Sequence, residues 1–417
     1  MLIVYRFVIN LILIFSPLIL IIRFFKKKED PTRFKEKIGF FNKRRKVGKL
    51  IWFHGASVGE LQSIIPLIEK LEKNKSIRQI LVTSNTLSSS KILKINKFKK
   101  VIHQFFPVDS NIIIKKFLDY WDPSKVLFID SEFWPNTIIQ LNQRKIPIIL
   151  INGRITDNTF RRWQKFPNFS KNIFKKFDLC FSSSKRSYQY LKKLKFKNVK
   201  FIGNLKYAQS ELDNFEINKN LKKFLSSKKA WCASSTHNPE ELIVAQTHKT
   251  LKKKIKNLIS IIIPRHAERY KAIKTNLEKL NLKVHLDNPK KKINPNTDIY
   301  LVNSYGKTKS FYKNCNNVFL GGSLIRHGGQ NPLEAARYGC SIINGPYVQN
   351  FVEIYEFLKK INISTTVKKN KELPNQLSIL FNRKANPKVI QNKLKMIGNK
   401  ILKKTYNEIF VRKLDEI

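Results

Sequence analysis

The architecture of this chain is indicated most clearly by one run of residues, Gly321-Gly-Ser-Leu-Ile-Arg-His327-Gly-Gly-Gln-Asn-Pro-Leu-Glu334-Ala-Ala-Arg-Tyr-Gly-Cys-Ser-Ile-Ile-Asn-Gly-Pro346. An apolar strand, predicted over Asn317 to Leu320, leads into two glycine pairs. Asn331, Pro332 and Glu334 then suit the N-cap, first and third positions of a short helix. The run therefore predicts a strand followed by a glycine loop and a helix.

A second strand, predicted over Ser341 to Asn344, completes this unit and ends in Gly345-Pro346. Paired glycines let backbone amides approach a ligand closely, and the helix dipole favours an anion at the same place. Sheets that bind nucleotides at the carboxyl ends of their strands are built in this way. A capping box with a tight turn is the alternative without a ligand, and four glycines and a histidine before one helix make it the less favoured one.

Length and composition predict two globular domains. The chain has 417 residues and 42% hydrophobic content, enough for two full cores. Four scattered cysteines, without Cys-x-x-Cys spacing, suit a reducing compartment and predict no metal site. The net charge of +52 comes mostly from lysines spread along the chain. We take it as consistent with work beside acidic lipids, and we predict no nucleic-acid partner.

Residues 1–30 are predicted to form a single N-terminal helix that anchors the chain to the membrane, either by crossing the bilayer or by lying on its surface. Phe7 to Ile22 is apolar apart from three residues, close to the roughly 20 residues that a span needs. Arg23 and three lysines at 26–28 follow, which places the bulk of the chain in the cytoplasm. A cleaved signal peptide is disfavoured because no small-residue cleavage site precedes the lysines. A buried helix of a soluble domain is the remaining alternative.

Residues 31–210 are predicted to form an N-terminal Rossmann-like domain, because apolar strands alternate with helical patterns. The predicted strands are Leu50 to His54, Gln79 to Ser84, Val101 to Phe106, Lys125 to Asp130, Ile146 to Ile151 and Asp178 to Ser182. If the strand order is the common 3-2-1-4-5-6, the first and fourth strands flank the crevice where ligands bind.

Two carboxylates are predicted at that crevice. Glu60 follows the first strand and Glu132 follows the fourth, an arrangement that suits general-base chemistry or binding of a sugar hydroxyl. Ser57 and Glu60 also form a capping box, so Glu60 has a structural interpretation that is about as strong. For Glu132 the alternative is a solvated charge at a strand end. Arg154, at the end of the fifth strand, adds a cation or a plain surface charge.

A second Rossmann-like domain is predicted over residues 229–385, after a polar linker at 211–228. Its predicted strands are Ala230 to Ser234, Leu258 to Ile263, Lys283 to Leu286, Asp298 to Val302, Val318 to Leu320 and Ser341 to Asn344. The long basic helix within 386–417 is predicted to pack back on the first domain.

Polar residues at strand ends of the second domain predict a nucleotide site. Arg265 could meet a phosphate or a carboxylate. His237, His266 and His327 lack helical spacing or companion carboxylates, so hydrogen bonding to a substrate or loop is favoured over metal binding. Neither a Walker A motif nor a strand-proximal Gly-x-Gly-x-x-Gly motif occurs, which argues against an ATPase or a dehydrogenase.

These features together are the plan of GT-B glycosyltransferases, in which two Rossmann-like domains face each other across a cleft. Over nearly its whole length the sequence resembles the 3-deoxy-D-manno-octulosonic acid (Kdo) transferases of lipopolysaccharide assembly. Besides the N-terminal segment, the resemblance is carried by residues 33–39, 57–60, 131–136, 152–154, 203–206, 235–237, 264–266 and 321–346.

The resemblance implies inverting transfer of Kdo from CMP-Kdo to a lipid A precursor, lipid IVA, at the inner membrane and without a cofactor. It implies that Glu60 is the proton acceptor and that Glu132 and Lys206 support the transition state. A single phosphate in the leaving group needs no Mg²⁺ bridge, which agrees with the missing Asp-x-Asp signature. The implied donor contacts, together with the glycine loop, are Pro264, Arg265, Tyr305, Gly306, Lys307, Gly321, Gly322, Ser323, Asn331, Pro332, Leu333 and Glu334.

The sequence departs from the family at two positions, and two other functions stay open. Lys307 stands where the family usually has an acidic residue, and Gly153 replaces a common alanine. A UDP-sugar 2-epimerase would share the fold but need no anchor. A non-enzymatic basic protein that binds membranes or nucleic acid rests on charge alone, and it gives Glu60 and Glu132 no role.

Overall fold

The computed structural model describes residues 1–25, 29–95, 98–209, 216–383 and 386–411. Contacts divide the chain into two compact units, Met1–Ser210 with Ile397–Ile417, and Glu211–Met396. Each unit contains one parallel seven-stranded sheet with helices between its strands. The predicted α/β class with two parallel sheets is therefore confirmed.

The sheet of the first unit has the order β3-β2-β1-β4-β5-β6-β7, so the first and fourth strands are neighbours as predicted. Its strands are β1 (Leu50–His54), β2 (Gln79–Ser84), β3 (Val101–Phe105), β4 (Lys125–Ile129), β5 (Ile148–Gly153), β6 (Leu179–Ser182) and β7 (Val199–Phe201).

Helices cover both faces of this sheet because its strands are apolar on both sides. In β1, Leu50 and Trp52 belong to one buried cluster, whereas Ile51 and Phe53 belong to another. The α-helices of the part before residue 210 are α1 (Leu2–Ile14), α2 (Ser16–Phe25), α3 (Val58–Glu72), α4 (Leu87–Ile95), α5 (Asn111–Trp121), α6 (Pro135–Gln143), α7 (Asp157–Gln164), α8 (Pro167–Phe174) and α9 (Lys185–Lys193). Two 3₁₀ helices, Phe34–Ile38 and Leu205–Ala208, complete this part.

The N-terminal segment forms two helices rather than the single anchor helix that we predicted. Pro17 lacks a backbone N–H and its ring clashes with the preceding turn, so the helix breaks at Phe15. In the described ranges no single helix is long and apolar enough to cross a membrane. The pair α1 and α2 passes that criterion together, by length and composition, but is bent by 57°. Residues 26–28, the predicted basic flank, lie outside the described residues.

Polar side chains of α1 attach it to the first unit. The Tyr5 hydroxyl donates to Asp109 Oδ2 at 2.7 Å, and Arg6 Nε donates to Asn136 Oδ1 at 2.9 Å. Most apolar side chains of α1 and α2 are exposed, and no residue of either helix is buried.

The sheet of the second unit has the order β10-β11-β9-β8-β12-β13-β14. Its strands are β8 (Lys229–Thr236), β9 (Leu258–Pro264), β10 (Val284–Leu286), β11 (Ile299–Leu301), β12 (Asn317–Leu320), β13 (Ser341–Asn344) and β14 (Ser364–Thr366). The accompanying α-helices are α10 (Lys219–Ser226), α11 (Glu240–Lys252), α12 (Tyr270–Glu278), α13 (Thr308–Tyr312), α14 (Leu333–Arg337), α15 (Val352–Lys360), α16 (Leu373–Asn382) and α17 (Pro387–Phe410). Short 3₁₀ helices occur at Ala267–Arg269 and Asn370–Glu372.

The segment predicted as a polar linker, 211–228, contains α10 in its described part. Asn218 caps this helix by accepting a hydrogen bond from the Leu221 amide at 2.7 Å. Leu221 and Leu225, one turn apart, are buried. The polar residues that suggested a linker thus lie on the solvent-exposed face of an amphipathic helix. Residues 211–215 lie outside the described residues.

The last helix, α17, passes from the second unit into the first. From Ile397 onward it packs on the first unit, where Ile397, Ile401 and Tyr406 contact the cluster that covers one sheet face. Glu408 also pairs with Lys200 at 2.6 Å. Residues 412–417 of the predicted C-terminal segment lie outside the described residues.

Candidate active site

Three of the predicted catalytic side chains lie in the first unit, at or after the carboxyl ends of its strands. Glu60 lies in the first turn of α3, after β1, and Glu132 follows the adjacent strand β4. Lys206 lies in the 3₁₀ helix Leu205–Ala208, after β7. Parallel strands bring their carboxyl ends to one edge, which is how segments distant in sequence come together.

Glu60 combines a capping role with an environment that favours its protonated form. Its Oε1 accepts from the Ser57 hydroxyl at 2.7 Å and its Oε2 from the Ala56 amide at 2.7 Å. Burial raises the pKa of Glu60 to about 7, with further contributions from the charges of Asp130 and Glu132, and this outweighs the opposing hydrogen bonds. The capping interpretation of the Ser57-x-x-Glu60 motif is therefore confirmed. The general-base role of Glu60 stays a prediction, and a pKa near 7 is compatible with it.

The pKa of Glu132 is shifted in the opposite direction to that of Glu60. Burial acts to raise its pKa, but hydrogen bonding and charge from His54 and a hydrogen bond from Trp134 outweigh it, so the pKa of Glu132 lies below its usual value. The Trp134 indole N–H is 2.9 Å from Glu132 Oε2, and His54 Nε2 is 3.2 Å from the same oxygen. Two nearby carboxyl groups whose pKa values are pushed apart are the usual arrangement of an acid–base site.

Lys206 belongs to a third cluster, centred on Asp130. The Lys206 ammonium is 3.7 Å from Asp130 Oδ2, while Asn152 donates to Asp130 Oδ1 at 2.6 Å. Asn152 also accepts from the Leu205 amide at 3.0 Å, which ties the 3₁₀ helix to the end of β5. The predicted Arg154 lies beside this cluster, and its amide donates to the Asp130 carbonyl at 3.1 Å.

Helix α17 supports the 3₁₀ helix that carries Lys206. A Cβ at Gly398 would lie 2.3 Å from the Tyr207 carbonyl oxygen, so only glycine allows this close approach. The contact places the backbone next to Lys206 directly against α17.

In the second unit, a buried carboxylate that the sequence did not single out organises the glycine loop. Glu240 accepts the amides of Gly322, Ser323 and Leu324 at 2.7, 3.1 and 3.0 Å, and that of His237 at 3.0 Å. Burial nevertheless raises the pKa of this carboxyl above its usual value. Glu240 therefore fixes the loop to the start of α11.

The backbone amides of the glycine loop, which we predicted to bind an anion, already donate hydrogen bonds within the protein. The amide of Gly321 donates to the Ser234 carbonyl at 2.8 Å, and those of Gly322 and Ser323 donate to Glu240. A Cβ at Gly321 would lie 2.5 Å from the Ser235 carbonyl oxygen. Glycine is thus required here for close packing against β8. Donor contacts of residues 321–323 stay a prediction, but they do not run through these amides.

The other predicted donor residues occupy the same unit. Arg265 is exposed directly after Pro264, which ends β9. In the turn that contains Tyr305 and Gly306, Tyr305 is 67% exposed. The Lys307 ammonium forms an ion pair with the buried Asp287, which gives this departure from the family pattern a structural role.

The helix after the glycine loop starts one residue later than predicted, and its N-cap residue is Pro332, which makes no side-chain cap hydrogen bond. Asn331 Oδ1 accepts from the Leu333 amide at 3.1 Å, and α14 begins at Leu333 rather than at Pro332. Glu334 lies in its first turn.

Sequence reasoning missed three functional neighbours: His54, Asp130 and Glu240. His54 and Asp130 are polar residues at the ends of apolar strands, and that position was the available signal. Glu240 gave no such signal, because its partners in the glycine loop lie more than 80 residues away in the sequence.

The chain is similar in sequence to known proteins of one family. A family model described as 3-deoxy-D-manno-octulosonic-acid transferase (kdotransferase) matches residues 32–209. The chain is 34% identical over 378 residues to the 3-deoxy-D-manno-octulosonic acid transferase of Rickettsia bellii, covering 90% of each protein. It is 29% identical to the enzyme of the same name from Haemophilus influenzae, covering 84% of each.

Solved structures show a related fold. The UDP-GlcNAc 2-epimerase of Neisseria meningitidis matches with a TM-score of 0.55, covering 85% of this chain and all of the epimerase. Since the two sequences are only 15% identical, this likeness concerns the fold alone.

Proposed function

The chain belongs to the Kdo transferase family, and from that membership we propose the donor, the acceptor and the proton acceptor of its reaction. It is a glycosyltransferase that transfers Kdo in lipopolysaccharide synthesis. We propose that the donor is CMP-Kdo, that the acceptor is a lipid A precursor, lipid IVA, and that Glu60 is the general base.

The observation that carries this proposal is the contrast between two carboxyl groups at neighbouring strand ends. Glu60, with a pKa of about 7, can accept a proton near neutrality and release it again. Glu132, whose pKa is lowered, stays ionised and can stabilise positive charge in the transition state. The acceptor hydroxyl loses its proton to Glu60 while its oxygen bonds to the anomeric carbon and the bond to CMP breaks. Lys206 supplies positive charge as negative charge grows on the leaving group.

Acceptor-dependent release of CMP tests the proposal. Purified protein should release CMP from CMP-Kdo only when a tetraacyl lipid A precursor is present, and the lipid should gain one or more Kdo units by mass spectrometry. UDP-GlcNAc, the substrate type of the fold neighbours, should be left unchanged. Absence of acceptor-dependent release, or epimerisation of UDP-GlcNAc, would contradict the proposed reaction.

A pH profile gives a further prediction for Glu60. A general base acts when deprotonated, so kcat/KM should fall as pH drops below about 7. The charge of Asp130 helps to raise the pKa of Glu60, so Asp130→Asn should move this acidic limb to lower pH. Asp119→Asn, which removes an ion-paired aspartate elsewhere in the unit, is the control and should leave the limb in place. An acidic limb that is unchanged in Asp130→Asn would exclude Glu60 as the titrating group.

We propose further that α1 and α2 hold the protein at the cytoplasmic face of the inner membrane. Support comes from their outward apolar side chains, among them Phe7 at 68% and Leu18 at 58% exposure. The hydrogen bonds from Tyr5 and Arg6 to the first unit favour helices that lie on the membrane surface.

Vesicle binding tests this location. Burying two such side chains is worth several kcal/mol, so the double variant Phe7→Asp with Leu18→Asp should bind neutral lipid vesicles at least about tenfold more weakly. Neutral lipid removes the contribution of the net positive charge. Ile379→Asp, at a residue 60% exposed in the second unit, is the control. Equal sedimentation of the double variant and wild type would rule out these helices as the attachment.

A further inference from the structure

Three imidazoles meet at the carboxyl edge of the second sheet. His237 follows β8, His266 follows β9 and His327 lies in the loop after β12, and these three strands are neighbours. The ring centroids of His237 and His327 are 4.0 Å apart, and those of His237 and His266 are 5.8 Å apart. The rings of His266 and His327, from two other segments, thus lie on the ring of His237.

The central ring, that of His237, carries an unsatisfied hydrogen-bonding atom. His237 is 8% exposed, and its buried Nε2 has no hydrogen-bond partner within the described part of the chain. Buried polar atoms without partners are uncommon, because they lose their hydrogen bonds to water without replacement.

The groups around His237 favour an anion as the missing partner. After burial, the largest influences that lower the pKa of His237, to about 4, are His327, His266, Arg265 and Arg269. His237 is therefore neutral in the unliganded protein, and a further cation would be repelled. An anion would be attracted by the same groups.

Three carboxylates from the segments that carry His237 and His266 are engaged with other groups. Glu240 accepts four backbone amides, as described above. Glu241 accepts from both terminal nitrogens of Arg269, at 3.1 and 3.3 Å, and from Thr236 at 3.0 Å. Glu268 is 3.5 Å from His266 and accepts from the Tyr305 hydroxyl. These pairings leave the Nε2 of His237 available to a ligand.

The glycine loop packs directly against this cluster. A Cβ at Gly322 would lie 3.3 Å from Cδ2 of His237 and 3.2 Å from Cδ2 of His327, and the φ of +65° at this residue also favours glycine. Since the loop amides donate within the protein, an anion bound here needs other donors.

We propose that His237, with His266 and His327 beside it, binds the phosphate of the CMP group of the donor through its Nε2–H. This inference rests on the proposed function, which makes CMP-Kdo the donor. The same hydrogen bond would hold the phosphate as the bond to the sugar breaks and its oxygen gains charge.

Calorimetric titration with CMP and with cytidine separates phosphate binding from nucleoside binding. Asn replaces the ring but does not reach the Nε2 position, so His237→Asn should weaken CMP binding on the order of tenfold or more and change cytidine binding by less than about twofold. His237→Gln places an amide closer to Nε2 and should recover most of the CMP affinity.

A matched control is available in the same unit. His285, on β10, also has a buried Nε2 without a partner among the described residues, but it lies outside the cluster, so His285→Asn should bind CMP like wild type. If His237→Asn does not fold, the exposed His327 replaces it in the test, and His327→Gln should show a smaller loss that is again specific to CMP.

The outcomes separate this inference from the proposed function. Equal losses of CMP and cytidine in His237→Asn, or no loss of either, would overturn the role of His237 alone. A wild-type protein that fails to bind CMP at all would contradict the assignment of the donor itself.

Discussion

Replacing Glu60 with glutamine should lower kcat on the order of a thousandfold, because general-base catalysis contributes about this much and the amide cannot accept the proton. Glutamine serves as well as glutamate at the third position of a capping box, so α3 should keep its cap and the protein its fold. CMP affinity should be unchanged, since Glu60 is proposed to act on the acceptor hydroxyl and is not among the proposed CMP contacts.

Glu69→Gln is the matched control for this experiment, since it makes the same chemical change on the same helix. It should keep wild-type turnover. Wild-type turnover in Glu60→Gln as well would show that Glu60 acts only as a helix cap.

Lys206→Ala should lower kcat on the order of a hundredfold, as expected when a charge that stabilises the transition state is removed. The KM for the lipid should change little, because the charge matters most when the phosphate leaves. Steady-state kinetics with varied acceptor measures both quantities. The loss should exceed that of a structural lysine, because the ammonium lies 3.7 Å from Asp130 in the candidate site.

Lys200→Ala provides the comparison, since Lys200 is also an ion-paired lysine of the first unit, bound to Glu408 at 2.6 Å. It should retain kcat. Equal kcat values for Lys206→Ala and wild type would refute the transition-state role.

The strands predicted correctly from sequence are those whose local hydrophobic pattern matches their burial in the folded protein. Continuous apolar runs located β1, β2 and β13 with the observed bounds, because strands of a doubly covered sheet are apolar on both faces. The three-residue strands β7 and β14 were missed, because β7 has a lysine at its centre and β14 contains no apolar residue. Pro17 was visible in the sequence, yet its effect on the N-terminal helix was underestimated.

Of the candidate site, the sequence predicted individual residues but not the hydrogen bonds between them. Glu60 could be found because it follows a strand and begins a helix. The hydrogen bonds from His54 to Glu132 and from the glycine loop to Glu240 depend on distances between segments remote in sequence. Such distances are set by sheet order and packing, so the pKa difference between Glu60 and Glu132 required the structure.

The central claim is that Glu60 deprotonates the acceptor hydroxyl in a single displacement at the anomeric carbon of Kdo. The configuration of the transferred sugar, determined by NMR of the lipid product, tests this claim most directly. A single displacement predicts that the transferred Kdo has the anomeric configuration opposite to that in CMP-Kdo. Retention of the donor configuration would contradict it, because retention requires a different mechanism from direct attack by the activated hydroxyl.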